Sequence, residues 1–149
     1  MKFNRNGLDF MSFNKSEEQN DFVSDMIKDK DIKKHIPQIS YKIKKINTED
    51  LYENGYLVKD PQTDEFIGFV YFGSPYRKEA DLNYAVHADH RSEGYGRRIL
   101  KACSDLILEK DKSIDNIVLI ISPDNFRSKR AAEAAGFTQD GNIRYVKKR

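Results

Sequence analysis

The sequence predicts a mixed α/β fold: a central mixed sheet of six or seven strands with helices on both faces. Three observations carry this. The apolar period switches repeatedly along the chain between 3.6 and two residues, the signatures of helix and strand. A strand–helix–strand unit over 80–122 ends in the run Ile117-Val118-Leu119-Ile120-Ile121, of the kind that fills the buried middle of a sheet. Two further apolar runs flank Asp60-Pro61-Gln62-Thr63-Asp64, a turn with Pro at a favourable position, so they form an antiparallel hairpin. Parallel and antiparallel neighbours together make the sheet mixed.

Taken in order, residues 8–13 form the first strand, with Leu8, Phe10 and Ser12 alternating with Met11 and Phe13. Ser16-Glu17-Glu18-Gln19 is a capping box, and Phe22, Val23, Met26 and Ile27 follow at helical spacing, predicting a helix over 17–29. Ile32, Ile36, Ile39, Ile43 and Ile46 outline a second helical face within 31–53, which Pro37 should break or kink. Residues 56–59 and 65–73 are the hairpin strands, the second apolar on both faces and therefore central. In the next strand, 80–88, Leu82, Tyr84 and Val86 point one way and Asp81, Asn83, Ala85 and His87 the other. A helix over 95–110 carries Ile99, Leu100, Cys103, Leu106 and Ile107 on one face. Residues 117–121 are a buried strand, Pro123-Asp124-Asn125 starts another helix, and Gly136 closes it. One or two short strands around Asp140-Gly141 complete the order βααβββαβαβ(β). The parallel crossover over 80–122 should be right-handed.

The chain of 149 residues suits one domain, 1–149. Its 26 Lys and Arg against 24 Asp and Glu leave a net charge of +2, too small a single-sign field for a dedicated nucleic-acid or membrane binder. One cysteine, Cys103, excludes an internal disulfide and a multi-cysteine zinc site. No apolar run approaches the roughly 20 residues of a membrane helix, and the first ten residues lack the apolar core of a signal peptide. A cytoplasmic protein, monomer or homodimer, without a metal, is the expectation.

Chemistry gathers after the strand 80–88. Arg91-Ser92-Glu93-Gly94-Tyr95-Gly96 opens the following helix, and two glycines there let a backbone turn tightly and expose successive N–H groups to an anion. It is neither a P-loop, lacking Gly-Lys-Ser/Thr, nor a complete G-x-G-x-x-G, since Ile99 stands at the third glycine. Arg97, Arg98 and Lys101 occupy the first turns of this helix, and Arg127, Lys129 and Arg130 the start of the next. Cations oppose a helix dipole there. Their placement makes sense beside a bound polyphosphate at the carboxyl ends of neighbouring strands.

Arg91-x-x-Gly94-x-Gly96 resembles the acyl-CoA pyrophosphate motif of the GNAT superfamily of N-acetyltransferases. Asn125-x-x-Ser128, with Glu133 and Gly136-Phe137, resembles the second signature as found in ribosomal-protein N-terminal acetyltransferases and their relatives. The resemblance implies acetyl-CoA as the acyl donor and an amine acceptor, small molecule or protein. It implies that the N–H groups of Arg91, Ser92, Glu93, Gly94, Tyr95 and Gly96 hold the pyrophosphate. Main-chain groups of Ala85, Val86 and His87 would pair with the pantetheine arm, and Asn125 would touch the cofactor. One of Arg97, Arg98, Lys129 or Arg130 would meet the 3′-phosphate.

Acetyl transfer requires a neutral amine, and a lysine-like amine with pKa near ~10.4 is mostly protonated at neutral pH. A base must take its proton, and a backbone N–H, here of Val86 or a neighbour, must receive the oxyanion. Asp81 lies near the position of a catalytic Glu in some family members, with Glu79 and His87 as competitors. Many members place a Tyr seven residues after the Asn to protonate the leaving thiolate; here that position is Ala132. Ser128 is the substitute the ribosomal branch suggests, and a first-turn cap is its other reading. Cys103 belongs to an apolar helix face, so it reads as core. A non-catalytic acyl-CoA-binding sensor or interaction module is the alternative to an enzyme.

Overall fold

The computed structural model describes residues 2–44 and 51–149. The strands are β1 (Lys2–Arg5), β2 (Leu8–Met11), β3 (Asn54–Asp60), β4 (Glu65–Phe72), β5 (Glu79–Val86), β6 (Asn116–Ile120), β7 (Thr138–Gln139) and β8 (Arg144–Lys148). The helices are α1 (Glu17–Lys28), α2 (Lys30–His35), α3 (Ile39–Lys44), α4 (Tyr95–Lys110) and α5 (Phe126–Ala134). Among the described residues the strands form one eight-stranded sheet in the order β1-β2-β3-β4-β5-β6-β8-β7. The β5–β6 pair is parallel and every other pair antiparallel. The fold is thus the expected mixed α/β sheet, with one strand more than expected.

That extra strand is β1. Asn6 (φ 54°) and Gly7 (φ 75°) take the two left-handed positions of a tight hairpin turn, and β1 folds back on β2 with Phe3 stacked on Phe10 at 4.6 Å. Helix α1 begins as its capping residue dictates: the Ser16 hydroxyl accepts from the Gln19 N–H. The Gln19 side chain reaches past Ser16, accepting from the Asn14 N–H at 2.7 Å. The single helix expected within 31–53 is two short ones, α2 and α3, parted at Pro37, and Ile46 lies outside the described residues.

Two apolar layers sandwich the sheet. On one side Leu82, Tyr84 and Val86 of β5 pack with Ile99, Leu100 and Cys103 of α4 and Ala132 of α5. On the other, Ala85 and Phe69 pack with Phe22, Val23 and Met26 of α1, Ile32 of α2 and Ile43 of α3. Ile67 has no partner on β3, where the register shifts between Val58 and Lys59. This bulge flips the alternation, so that Ile67 and Val70 share one layer while Phe66 and Phe69 share the other. No helix among the described residues is long and apolar enough to cross a membrane.

One topological event positions the site. β5 and β6 pair only from Glu79 with Asn116 to Asp81 with Val118, yet β5 continues to Val86 and β6 to Ile120. A gap therefore opens in the sheet beyond Asp81. Gly73 N–H donates to the Asp81 carbonyl, and His87 N–H to the Ile67 carbonyl, each at 2.9 Å. Odd-numbered residues of β5 thus spend their main-chain groups on β4, and alternation turns those of Tyr84 and Val86 to the gap.

Candidate active site

The chain leaves β5 through a 3-10 turn, Ala88–His90, and enters the loop 91–94. Ser92 (φ 66°) and Gly94 (φ 83°) both adopt left-handed backbone, a conformation that presents successive N–H groups to an anion. Gly94 is the N-cap of α4 and offers no side chain to its first amides, which are left for a ligand or water. Gly96 serves closeness: a Cβ there would stand 3.2 Å from Tyr84 Cε2 and 3.3 Å from Ala131 Cβ. Glycine lets the start of α4 press against β5 and α5.

Between Gly94 and Gly96, Tyr95 is pinned from behind. Its hydroxyl donates to the buried Asp60 carboxylate at 2.6 Å. That bond, against desolvation and with the Gln62 N–H and Arg98 assisting, holds Asp60 below its ordinary value of 3.8. It also pushes the phenol up to about 12. Tyr95→Phe removes this partner and is expected to destabilise the protein by about 1–3 kcal/mol, measured as a lower urea midpoint at neutral pH. Because the folded-state pKa of Asp60 is depressed, this stability is present above the ordinary carboxylate range and lost as pH falls through the folded value. The difference between variant and wild type should therefore shrink in acid.

A cavity of about 560 Å³ begins at this loop, within the usual range for small-molecule sites. It is lined by Arg91, Ser92, Gly94, Tyr95, Gly96 and Arg97, by Tyr84, Ala85 and Val86 of β5, and by Asn125, Ser128 and Arg130. Ile32, His35 and Ile36 line it too. α4 and α5 cover one face of the sheet and α2 the other, so the cavity runs from one face to the other past the free end of β5.

The expected cations divide. Arg91 is held by Asp29 at 2.9 Å and Arg127 by Asp31 at 3.1 Å. Arg98 reaches the carbonyls of Asn6 and Gly7, and Lys101 pairs with Asp105. Burial works against it, but the Ile32 N–H and Arg91 bring the Asp29 carboxyl below its ordinary value. Lys129 lies over the Phe126 ring. Among the described residues Arg97 and Arg130 make no ion pair, and both line the cavity and are exposed.

The sequence matches a family model described as an acetyltransferase (GNAT) domain over residues 7–138. The chain belongs to the GNAT acetyltransferase family. No curated protein matches the sequence. Among solved structures, a GNAT-family acetyltransferase from Bacillus anthracis is 16% identical with a TM-score of 0.76, covering 98% of this chain and 94% of that one. A putative ribosomal-protein-serine acetyltransferase from Vibrio cholerae is 14% identical with a TM-score of 0.74, covering 100% and 98%. An aminoglycoside acetyltransferase AAC(6')-Ib, bound to coenzyme A and kanamycin, is 16% identical with a TM-score of 0.71, covering 95% and 94%.

In this GNAT protein the structure does not bring all of the expected site residues together. Asp81, His87 and Glu93 do not line the cavity. The His87 ring stacks on Phe22, its Nδ1 accepts from the Asp89 N–H at 3.1 Å, and its Nε2 lies 3.4 Å from Asp25. Both nitrogens are occupied, which leaves none to act as a base, and its N–H is spent on β4. The same register removes the main chain of Ala85 from the gap and puts Tyr84 there, a residue to which sequence reasoning gave no role. His90 stands 3.1 Å from Glu65 and edge-on to Tyr95. Glu79 is held by Arg144 and Asn116, which depress its carboxyl, so it is a structural ion-pair partner. Cys103 is fully buried, and desolvation raises its thiol.

Asp81 stands at the foot of the gap on the α1–α3 side, where its carboxylate lies directly over Gly73. Asp81 is exposed as a residue, but the atoms packed on its carboxyl raise its pKa by desolvation, its own amide and Lys42 oppose this, and Glu53 adds to it. Around it are Asn83, which Lys42 contacts, and Tyr71, which donates to Glu53 at 2.8 Å. On the α4–α5 side Asn125 caps α5, accepting from the Ser128 N–H at 3.3 Å. Ser128 is therefore not the cap; its Oγ instead accepts from the Tyr84 hydroxyl at 3.0 Å.

Proposed function

We propose that this protein moves the acetyl group of acetyl-CoA to a primary amine of a small molecule or protein, by direct attack in a ternary complex, within one domain over 1–149. The course of the cavity carries the reading. It starts among free amides at the head of α4 and unpaired guanidinium groups and runs along Tyr84, Ala85 and Val86 at the open end of β5; Asp81 stands outside it, further back on the same strand where β5 and β6 part. A polyanion with a long neutral arm fits this path. The amides of 92–96 would hold the pyrophosphate, that of Arg91 being bonded to the Ala88 carbonyl, with Arg97 and Arg130 beside the outer phosphate charge. The Val86 N–H would pair with the arm, the Val86 carbonyl being held by Arg91 Nε at 3.3 Å, and the Tyr84 N–H, nearer Asp81 on the strand, would receive the carbonyl oxygen as charge develops on it. Asp81 takes the amine proton, directly or through water, and Ser128 supports the departing sulfur. The cofactor itself supplies an acyl group on a good leaving thiolate.

Acetyl-CoA at about 100 times its Kd should stabilise the folded state by about 2.7 kcal/mol, measured as a shift in Tm or urea midpoint. Gly96→Val, which puts side-chain atoms against Tyr84 and Ala131, should lose most of that shift. No shift in the wild type, or an equal one in the variant, would refute the assignment. One observation favours a second reading, an acyl-CoA-binding module without turnover: the α5 position where relatives carry a phenol is the fully buried Ala132. Acetyl-CoA binding without thiol release on any amine would support that reading.

A further inference from the structure

Tyr84 brings a phenol from the sheet to the first turn of α5, whose residue 132 is a buried alanine. Tyr84 is a β5 residue whose ring lies between the start of α4, 3.2 Å from the Cβ position of Gly96, and the first turn of α5. Its hydroxyl donates to Ser128 Oγ at 3.0 Å, and both residues line the cavity. Asn125 already satisfies the Ser128 N–H, so the Ser128 hydroxyl is not consumed by capping. Having accepted from Tyr84, it keeps its own hydrogen to donate, and among the described residues nothing accepts that hydrogen. Burial raises the Tyr84 phenol while its bond to Ser128 works the other way, which keeps it a neutral donor at physiological pH.

We infer that Tyr84 is a positioning residue for the leaving sulfur: the chain Tyr84 O–H to Ser128 O–H to sulfur is a two-hydroxyl relay of hydrogen bonds. The inference rests on the acetyl-transfer reading above. As the C–S bond breaks, its electron pair goes to sulfur, and the Ser128 hydrogen bond stabilises that charge. Tyr84 polarises Ser128, and donors in series strengthen one another in a site shielded from water. No proton need leave Tyr84. The thiolate departs as such and equilibrates with water, and the amine proton has gone to the base.

The relay acts on sulfur whether or not an acyl group is present, so its test needs no acceptor. The thiol of bound CoA can be titrated by the ultraviolet absorbance of its thiolate. In the wild type the bound thiol should ionise at lower pH than free CoA. In Tyr84→Phe and in Ser128→Ala alike it should move back by about one pH unit, the equivalent of a tenfold change. Tyr84→Phe keeps the ring against Gly96, so Kd for CoA should stay within about twofold, and the double variant should be no worse than Ser128→Ala alone. With an acceptor, kcat should fall about tenfold at unchanged KM for acetyl-CoA, the effect of one hydrogen bond of about 1.4 kcal/mol. A bound thiol that titrates alike in wild type and Tyr84→Phe, while Ser128→Ala shifts it, overturns the relay alone. No shift in either variant overturns the placing of sulfur beside Ser128 as well, and failure of CoA to bind overturns the acetyl-transfer reading itself.

Discussion

Asp81→Asn is expected to lower kcat for acetyl transfer by about 10²-fold or more, with KM for acetyl-CoA close to wild type, because removing a general base costs on that order. The residue stands where β5 and β6 part. Its carboxylate rests on Gly73, where no side chain intervenes. Desolvation raises its pKa, which brings a carboxyl closer to the pH at which a base works best. The pH dependence has a definite sign. Wild-type activity should rise with pH through the raised pKa as the carboxylate forms, and the variant should lose that limb. Stability should respond in the opposite sense. A folded-state pKa above the unfolded one means the folded protein prefers the protonated acid, so stability falls as pH climbs through that window. Because Asp81 is exposed, solvent screens most of this cost, and at neutral pH the Asn variant should unfold at about the wild-type urea midpoint. Lost activity at undiminished stability marks a catalytic group; unchanged kcat would place the base elsewhere.

The double variant Arg97→Ala, Arg130→Ala should weaken acetyl-CoA binding by about 10–100-fold, less than two buried charge-assisted bonds would give, because both groups are exposed. The loss should narrow as salt is raised, since screening already weakens these contacts in the wild type. Acetyl-pantetheine, which lacks the nucleotide and its phosphates, should bind both proteins equally. Calorimetric titration at two ionic strengths reads all three. By contrast, Arg98→Ala should act on stability more than on affinity, because its guanidinium ties α4 to the Asn6–Gly7 turn and Asp60.

Much of this was legible in the sequence where the signal is local. Helix α4 runs over the predicted residues, Ser16 caps α1, Pro37 parts α2 from α3, and Gly94 and Gly96 sit at the head of a helix. Strand β1 is hard to read although Asn6-Gly7 is a strong hairpin signal, because Lys2, Asn4 and Arg5 give it a polar, partly exposed pattern with a single apolar residue, Phe3. What was not legible depends on distant partners. Which cations stay free is decided by Asp29 and Asp31, about sixty or more residues from the arginines they hold. The Tyr84–Ser128 and Tyr95–Asp60 bonds join residues 44 and 35 apart. His87 shows the same limit. A histidine at a strand end looks available until the helix that covers it supplies Phe22 and Asp25.

The most direct measurement is the rate of CoA thiol release from acetyl-CoA against a broad set of primary amines, for wild type and Asp81→Asn in parallel. The account predicts amine-dependent release by the wild type with at least one acceptor, slower at low pH, and near background in the variant. Firm binding of acetyl-CoA with release that no amine accelerates would contradict it.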